Sequence, residues 1–393
     1  MFEKRGSPKE YSGFFANHKM AIATTTLIGT VVGAGILGIP YVIAQAGFLY
    51  GLILMLVLGG AYIFINLFVG EIILRTRKQH QLPGYVGKYL GPWGKKLMAF
   101  SVLVGSYGAL TAYLIGEGAT LHSIFNFGSP LLFTLLFFLF TFIIVYRGVK
   151  ATGRAELILI SLLVFVVLLI GFFSFNKINL SYLTHLNVAK FLVPYGVIVF
   201  AYLGLPSIPE MQEQLGKEKK KLKKAIILGS IIPIILYIVF SFIIIGVVGL
   251  ENFELLEPNE RIATIALGIY SYPLLGVFAN ILAFLAMFTS FLTIGTALKE
   301  VYQFDYNIPK GWALALTFSL PLAIVLMNLT SFITVLGITG AVAGGIDGIL
   351  IILTYWKAKK MGERKPEYSL GTHYFLGAIL MLMFVSGIVY LFF

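Results

Sequence analysis

GAGILGIP at residues 33–40 and YLGLPSIP at residues 202–209 each interrupt an apolar stretch that is long enough to cross a membrane. Both segments concentrate glycine and proline where a continuous helix is otherwise expected. In lipid, an unpaired backbone amide costs several kcal/mol, so such a break survives only where it lines a cavity or is buried in protein. Two breaks in corresponding halves of a chain indicate a binding site near the middle of the bilayer.

Composition places the whole chain in a membrane. Of its 393 residues, 59% are hydrophobic and 12% are charged, whereas a soluble domain carries about 25% charged residues. Because long apolar runs recur along the sequence, we expect an all-α integral membrane protein. The sequence has no cysteine, which excludes disulfides and thiol chemistry. The eleven predicted transmembrane helices cover residues 20–46, 47–74, 95–126, 130–147, 154–175, 188–210, 222–250, 273–298, 311–328, 331–356 and 370–393.

The basic residues are distributed asymmetrically around these spans. The tail and loops on one side carry 26 of the 29 Lys and Arg residues, which assigns that side to the cytoplasm. The N-terminus is therefore expected in the cytoplasm, and eleven crossings place the C-terminus outside. The basic clusters are topology signals, so no nucleic-acid partner is expected. The loop after span 7 is acidic and external, and we expect Asn259 to cap a short helix over residues 260–270.

The two breaks lie in spans 1 and 6, which begin five spans apart. Because five is an odd number, these two helices cross the membrane in opposite directions. We therefore expect discontinuous helices 1 and 6 in a five-plus-five inverted repeat, formed by residues 20–175 and 188–356. Residues 1–19 are then a cytoplasmic tail, and residues 370–393 form an additional helix 11 at the C-terminal end.

Three motifs carry a resemblance to known transporters. GAGILGIP at 33–40 with Ala46-Gly47, SIPEM at 207–211 and FTSFL at 288–292 resemble spans 1, 6 and 8 of the amino acid/auxin permease family. The last motif is also similar to bacterial aromatic amino acid permeases. The family belongs to the amino acid–polyamine–organocation superfamily. The resemblance implies a leucine-transporter-like fold and a secondary amino acid transporter that lies in the lipid bilayer.

An α-amino acid is a zwitterion, so its site needs donors at one pole and acceptors at the other. We expect the carboxylate at the amides of Gly33, Ala34, Gly35 and Ile36, at the positive end of a half-helix. We expect the ammonium at carbonyls near Val31, Phe200, Ala201 and Tyr202, and side-chain selectivity from Tyr113. The alternative is that the glycines serve close helix packing and the aromatic residues serve the core.

The sequence leaves two candidates for the coupling ion, sodium and the proton. Sodium would take the hydroxyls of Thr289, Ser290 and Thr293 with the carbonyls of Gly29 and Val32. Alternatively, those hydroxyls only bond their own helix. A proton would need a carboxyl group, and Glu117 and Asp347 lie within predicted spans. Some proton-coupled relatives that this chain resembles place a lysine from span 5 in the sodium position, and span 5 has no lysine here.

The preferred function is therefore a secondary active amino acid transporter of the cell membrane, a cation-coupled symporter for neutral or hydrophobic L-amino acids that works by alternating access. The alternatives are proton coupling and an amino acid sensor that transports slowly. A channel would need a continuous polar stripe, and an enzyme would need a nucleophile–base or metal-spacing pattern. Neither is present in the sequence. No cofactor is expected besides the coupling ion, and a monomer is favoured.

Overall fold

The computed structural model describes residues 18–148 and 153–392. The secondary structure of these residues is helical, with no β-strand among them. Most of the predicted tail, residues 1–17, lies outside the described residues, as does part of the basic loop after span 4. We number the α-helices in chain order.

Helices of the first half, up to the loop before span 6, are α1 Lys19–Val31, α2 Gly35–Ala46, α3 Phe48–Arg75, α4 Leu82–Leu90, α5 Pro92–Phe125, α6 Pro130–Arg147 and α7 Gly153–Ser174. Those of the second half are α8 Tyr195–Ala201, α9 Ile208–Leu215, α10 Leu222–Val248, α11 Leu250–Leu255, α12 Ala263–Tyr270, α13 Pro273–Glu300, α14 Lys310–Leu326, α15 Phe332–Thr339, α16 Gly345–Met361 and α17 Tyr374–Tyr390.

Helices overlap all eleven predicted membrane segments. Within the described residues, seven helical segments are long and apolar enough to cross a membrane, with α15 and α16 counted as one segment. Helices α1 and α2, which are bent by 54° at the break, give an eighth if they are taken as one span. Two further apolar helices, α14 and α17, are shorter. The protein is thus a multi-pass helical membrane protein. The full count of eleven crossings and the inverted repeat stay predictions.

The first break lies where the glycine-rich motif predicts it. Helix α1 ends at Val31, because Val32 leaves the helical region with φ −84° and ψ 89°. The Gly33 amide then turns back to the Val31 carbonyl at 3.1 Å. A new helix starts at Gly35 and runs through Pro40 to Ala46. Two half-helices therefore meet at a short irregular segment.

The second break is also present, and the span that contains it is divided into more helical pieces than the sequence predicts. Helix α8 stops at Ala201, a 3₁₀ turn covers Leu205–Ser207, and α9 follows directly. Gly204 lies in the break, and a Cβ at this position would stand 2.5 Å from Leu27 and 2.8 Å from Val31. A side chain there would push the second break away from α1, so the glycine serves close packing.

Neighbouring helices hold both breaks near the centre of the bundle. Helix α10 packs along α1 and α3, and α2 packs against α8. Helix α5 packs against α13 and α15, and α15 also packs against α8. The breaks are therefore enclosed by α5, α10 and α13 rather than exposed to lipid.

Three features differ from the sequence expectations. An additional amphipathic helix, α4, occupies the basic loop after span 2. Span 10 is interrupted by a π-helical turn at Gly340–Gly344. The short helix of the acidic loop begins at Ala263, so the prediction that Asn259 caps it was wrong. Instead the Asn259 side chain accepts a hydrogen bond from the Phe332 amide at 3.0 Å and satisfies the first donor of α15.

Candidate functional site

Free backbone donors lie at the start of α2. Among the described residues, no acceptor takes the amides of Ala34, Gly35 or Ile36, whereas the Leu37 amide donates to the Ala34 carbonyl at 3.1 Å. The first amides of a helix have no partner within it and carry the positive end of its dipole. Three of the four residues expected at the carboxylate pole therefore offer the donors that an anion requires.

Gly35 brings the two breaks into direct contact. A Cβ on Gly35 would stand 2.5 Å from the Ala201 Cβ, which is closer than real side chains approach. Ala201 is the last residue of α8, so the start of one half-helix touches the end of another. We call the group Val31, Gly35 and Ala201 the junction. Close packing, the alternative role considered for the glycines, thus applies at Gly35.

Tyr113 and Ser290 flank the first break from two other helices. A Cβ on Gly33 would lie 3.5 Å from the Tyr113 hydroxyl and 3.8 Å from the Ser290 hydroxyl. Tyr113 belongs to α5 and is buried, and Ser290 belongs to α13. The structure therefore brings together Gly33, Tyr113 and Ser290, which the sequence placed in three separate spans.

The carbonyls at the junction already have a donor, which the sequence interpretation did not identify. The Tyr237 hydroxyl on α10 donates to the Val31 carbonyl at 2.8 Å and lies 3.2 Å from the Ala201 carbonyl. The Val31 oxygen also accepts from Gly33, so both of its lone pairs are engaged. A signal existed in the sequence: Ser230, Tyr237 and Ser241 repeat on one face of an otherwise apolar span.

The remaining two residues of the predicted acceptor set differ from each other. The Phe200 carbonyl accepts from the Leu203 amide at 3.2 Å. The Tyr202 carbonyl accepts no hydrogen bond from the described residues. The Tyr202 ring stacks on Tyr237, with centroids 5.7 Å apart, and its hydroxyl donates to the Met55 carbonyl. Tyr202 therefore offers its backbone, while its side chain is committed to packing between α10 and α3.

The residues considered for sodium lie on α13 and α1. The Thr289 hydroxyl donates to the carbonyls of Leu285 and Ala286, and the Thr293 hydroxyl donates to the Thr289 carbonyl at 3.0 Å. A hydroxyl that donates its hydrogen still keeps lone pairs on oxygen. On α1, Gly29 is half-buried, and Val32 just beyond its end is buried.

Glu117 is enclosed within the bundle. Its side chain is fully buried, and neither carboxyl oxygen has a hydrogen-bond partner among the described residues. His122, considered as a partner from the sequence, instead lies 3.2 Å from the Phe127 carbonyl through Nδ1. Glu117 follows Tyr113 by one turn of α5, so the carboxyl group lies on the helix that walls the first break.

Asp347 lies directly after the π-helical turn. It is buried, and one carboxyl oxygen has no partner within the described part of the chain. The neighbouring Gly345 and Gly348 pack against Ile388 and Phe384 of α17, where a Cβ would stand 2.8 Å and 2.3 Å from those side chains. The glycines around Asp347 thus serve the close packing that their pattern suggests.

A small cavity borders the junction. It measures about 10 Å³ and is lined by Val31, Tyr202, Asn66, Ser230 and other side chains of α3 and α10. This volume holds about one water molecule. The cavity itself is therefore too small to hold an amino acid.

Glu71 forms an ion network at the end of α3 that the basic loops assign to the cytoplasm. Its fully buried carboxylate lies 2.8 Å from both Arg75 and Lys359, and it accepts from the Leu370 amide at 2.7 Å. Tyr355 also donates to it, at 3.3 Å. The network ties α3 to α16 and to the segment after it.

Arg261 forms the corresponding tie at the opposite face. Its guanidinium donates to the Tyr41 hydroxyl of α2 at 2.9 Å and to the carbonyls of Phe253, Glu254 and Leu256. The acidic loop is therefore fixed to the half-helix that begins at Gly35.

The fold and this site define a multi-pass membrane transporter built around two discontinuous helices. The model of the tryptophan/tyrosine permease family matches residues 16–391, so the chain belongs to that family. Tyrosine-specific transport system 1 of Haemophilus influenzae is 26% identical over 380 residues, which cover 93% of this chain and 94% of that protein. Glutamine transporter 2 of Aliivibrio fischeri is 28% identical over 338 residues, 83% and 86% of the two chains.

A solved structure supports the fold. The crystal structure of MhsT in complex with L-phenylalanine aligns with a TM-score of 0.68 at 17% identity, over 93% of this chain and 98% of that chain. The likeness to aromatic amino acid permeases is confirmed by the family model, whereas membership of the amino acid/auxin permease family is not shown. Family membership indicates a transporter rather than an enzyme and supports amino acid transport.

Proposed function

We propose that this protein is a secondary active transporter that moves neutral or hydrophobic L-amino acids, aromatic ones included, across the cell membrane with a coupling cation. One observation carries the proposal. The close contact between Gly35 and Ala201 places the unbonded amides at the start of α2 beside carbonyl oxygens at the end of α8 that can still accept hydrogen bonds. Donors and acceptors a few ångströms apart match the two charged groups of an α-amino acid.

The carboxylate would bind at the amides of Ala34, Gly35 and Ile36, where the helix dipole favours an anion. Tyr113, whose hydroxyl lies beside Gly33, is placed to contact the same pole or to gate it. The ammonium would bind at the Tyr202 carbonyl and at the second lone pair of the Ala201 carbonyl. The Val31 carbonyl takes part only if Tyr237 withdraws.

Similar proteins and the chemistry of the site both support this substrate class. Similar proteins are named as tyrosine, tryptophan and glutamine transporters, and all three of these amino acids have uncharged side chains. The residues at and beside the breaks include the aromatic residues Tyr113 of α5 and Phe200 and Tyr202 of the second break. An uncharged side chain suits such walls, because a charged group would lie there without an ionic partner.

Sodium is the proposed coupling ion, held by Thr289, Ser290 and Thr293 of α13 with the carbonyls of Gly29 and Val32. Protons are the alternative, carried by Glu117 or Asp347, which are buried carboxyl groups with unpartnered oxygens. Placement in the plasma membrane, with a cytoplasmic N-terminus and an external C-terminus, belongs to the same proposal. So does action as a monomer.

Uptake into proteoliposomes tests the function. A panel of L-tyrosine, L-tryptophan, L-phenylalanine and L-glutamine is offered while sodium and pH gradients are imposed separately. We expect accumulation of at least one of them under the sodium gradient. If none is accumulated or bound, the protein is not an amino acid transporter; binding without accumulation would favour the sensor.

Paired variants test the ion. Thr289→Ala is compared with Thr317→Ala on α14, whose hydroxyl also bonds its own helix, at 2.8 Å to the Ala313 carbonyl. We expect Thr289→Ala to raise the sodium concentration for half-maximal uptake about tenfold and Thr317→Ala to leave it unchanged. Sodium-independent uptake that Glu117→Gln or Asp347→Asn abolishes would instead establish proton coupling.

A further inference from the structure

Two helix ends of the same sign meet at the junction. Val31 is the last residue of α1, and Ala201 is the last residue of α8. The final carbonyls of a helix lack donors within it, and together they carry about half a negative charge. Two such ends repel each other unless a donor or a cation lies between them. In transporters with broken helices, carbonyls of this kind coordinate the driving cation.

Here a neutral hydroxyl lies between the two ends. The Tyr237 hydroxyl is 2.8 Å from the Val31 oxygen and 3.2 Å from the Ala201 oxygen, and Tyr237 is completely buried. Both carbonyl oxygens therefore lie within hydrogen-bonding distance of this single donor. With the Gly33 amide on the other lone pair, the Val31 oxygen has no capacity left for an ion.

The ring of Tyr237 is held in place. It stacks on Tyr202 with an interplanar angle of 27°, and the Tyr202 hydroxyl is anchored to the Met55 carbonyl. A cavity of about 10 Å³ lies beside the Tyr202 ring, and the Asn66–Ser230 hydrogen bond is part of its polar lining. The stacking on Tyr202 and the complete burial of Tyr237 hold its hydroxyl between the two carbonyls.

We propose that the Tyr237 hydroxyl replaces a cation between Val31 and Ala201. The junction then needs no ion, and Tyr237 determines which carbonyls remain for the ammonium of the substrate. The inference rests on the proposed transport function for its role in substrate binding. Two consequences follow: the transport cycle moves no more than one cation per amino acid, and loss of the hydroxyl weakens substrate binding.

The first test measures stoichiometry on the wild-type protein. Reversal potentials in proteoliposomes, with L-tyrosine, L-tryptophan, L-phenylalanine or L-glutamine as the imposed gradient, give the number of cations moved per amino acid. We expect one. A value of two would place a second cation in the protein and would overturn the proposal.

The second test compares two buried hydroxyls. Tyr237→Phe removes the donor at the junction, and Tyr368→Phe removes a buried hydroxyl that donates to the Leu67 carbonyl at 2.7 Å, away from the breaks. We expect the amino acid affinity from isothermal titration to fall at least tenfold for Tyr237→Phe and less than threefold for Tyr368→Phe. Equal effects would contradict the proposal. If Tyr237→Phe does not fold, the stoichiometry decides alone.

A third measurement separates this inference from the transport function. In the absence of any amino acid, Tyr237→Phe should unfold at a lower temperature than Tyr368→Phe. Sodium or lithium chloride, but not choline chloride, should restore part of that loss beyond any ion effect on the wild type. If the wild type moves no amino acid yet this pattern appears, the proposed function fails and the cation replacement stands. Without the pattern, the replacement fails as well.

Discussion

Gly35 meets two requirements at a single position. Its amide is one of the three free donors at the start of α2, and its missing side chain allows the contact with Ala201. A sequence motif can indicate both requirements, because only glycine permits such an approach. The local sequence does not show which neighbouring residues must also lack a side chain, because that depends on the helix packed against them.

Alanine substitutions should distinguish the roles of Gly35 and Gly33. Gly35→Ala should destabilise the protein by about 1–3 kcal/mol, the usual cost of an added methyl group in a filled interior, and should abolish amino acid uptake because the two breaks are forced apart. Gly33→Ala should retain the wild-type stability, since its Cβ would meet Tyr113 and Ser290 at ordinary contact distances. Unfolding in detergent and uptake in proteoliposomes provide the measurements.

Gly60→Ala is the matched control, because a Cβ there would meet no atom within 4 Å. It lies on α3, one position after a glycine that is tightly packed. If Gly35→Ala is as stable and as active as Gly60→Ala, the close contact between the breaks is not present in the working protein.

At the scale of helices, the sequence predicted continuous and broken apolar segments well and polar ties poorly. Gly33 and Gly204 disrupt apolar helices in a way that composition alone shows. Tyr237 and Glu71 depend on partners that lie far away in sequence, at Val31 and Ala201 and at Lys359 and Leu370. Such pairings follow from how helices pack, and the spacing within a single helix does not encode them.

The Glu71 network should stabilise the link between α3 and α16. Glu71→Gln leaves Arg75 and Lys359 close together without the carboxylate that neutralises them, and removal of one partner from a buried ion pair costs about 3–5 kcal/mol. We expect a loss of this order in the free energy of unfolding, measured by titration with sodium dodecyl sulfate. Fluorescent labels on α3 and α16 should also report a larger separation at this face.

Glu363→Gln provides the contrast at the same face. Glu363 pairs with Lys88 of α4 at 2.5 Å and accepts from the Arg77 amide, but it is solvent-exposed. These hydrogen bonds lower the pKa of Glu363 below its ordinary value. Its contribution is therefore present at neutral pH and is lost only as the pH falls through that lowered pKa. A loss for Glu363→Gln at pH 7 as large as that for Glu71→Gln would show that burial is not what makes the network strong.

At the scale of the whole molecule, the charge asymmetry of the loops matches the positions of the two polar ties. The Glu71 network lies among the basic loops, and Arg261 lies in the acidic loop. Transport by alternating access requires each face to open while the other is closed, and each tie fixes a half-helix or its neighbour to a surrounding segment. If the orientation predicted from the basic loops is right, the Glu71 network lies on the cytoplasmic side.

Cysteine labelling tests that orientation directly, since the natural chain has no cysteine to mask. The exposed positions are introduced singly as Lys220→Cys, Glu257→Cys and Phe392→Cys. On intact cells we expect a membrane-impermeant maleimide to modify positions 257 and 392 at once and position 220 only after permeabilisation, because eleven crossings put the last helix end outside. If position 392 is labelled only after permeabilisation, as expected for position 220, the number of crossings is even. The five-plus-five repeat with one extra helix would then be wrong.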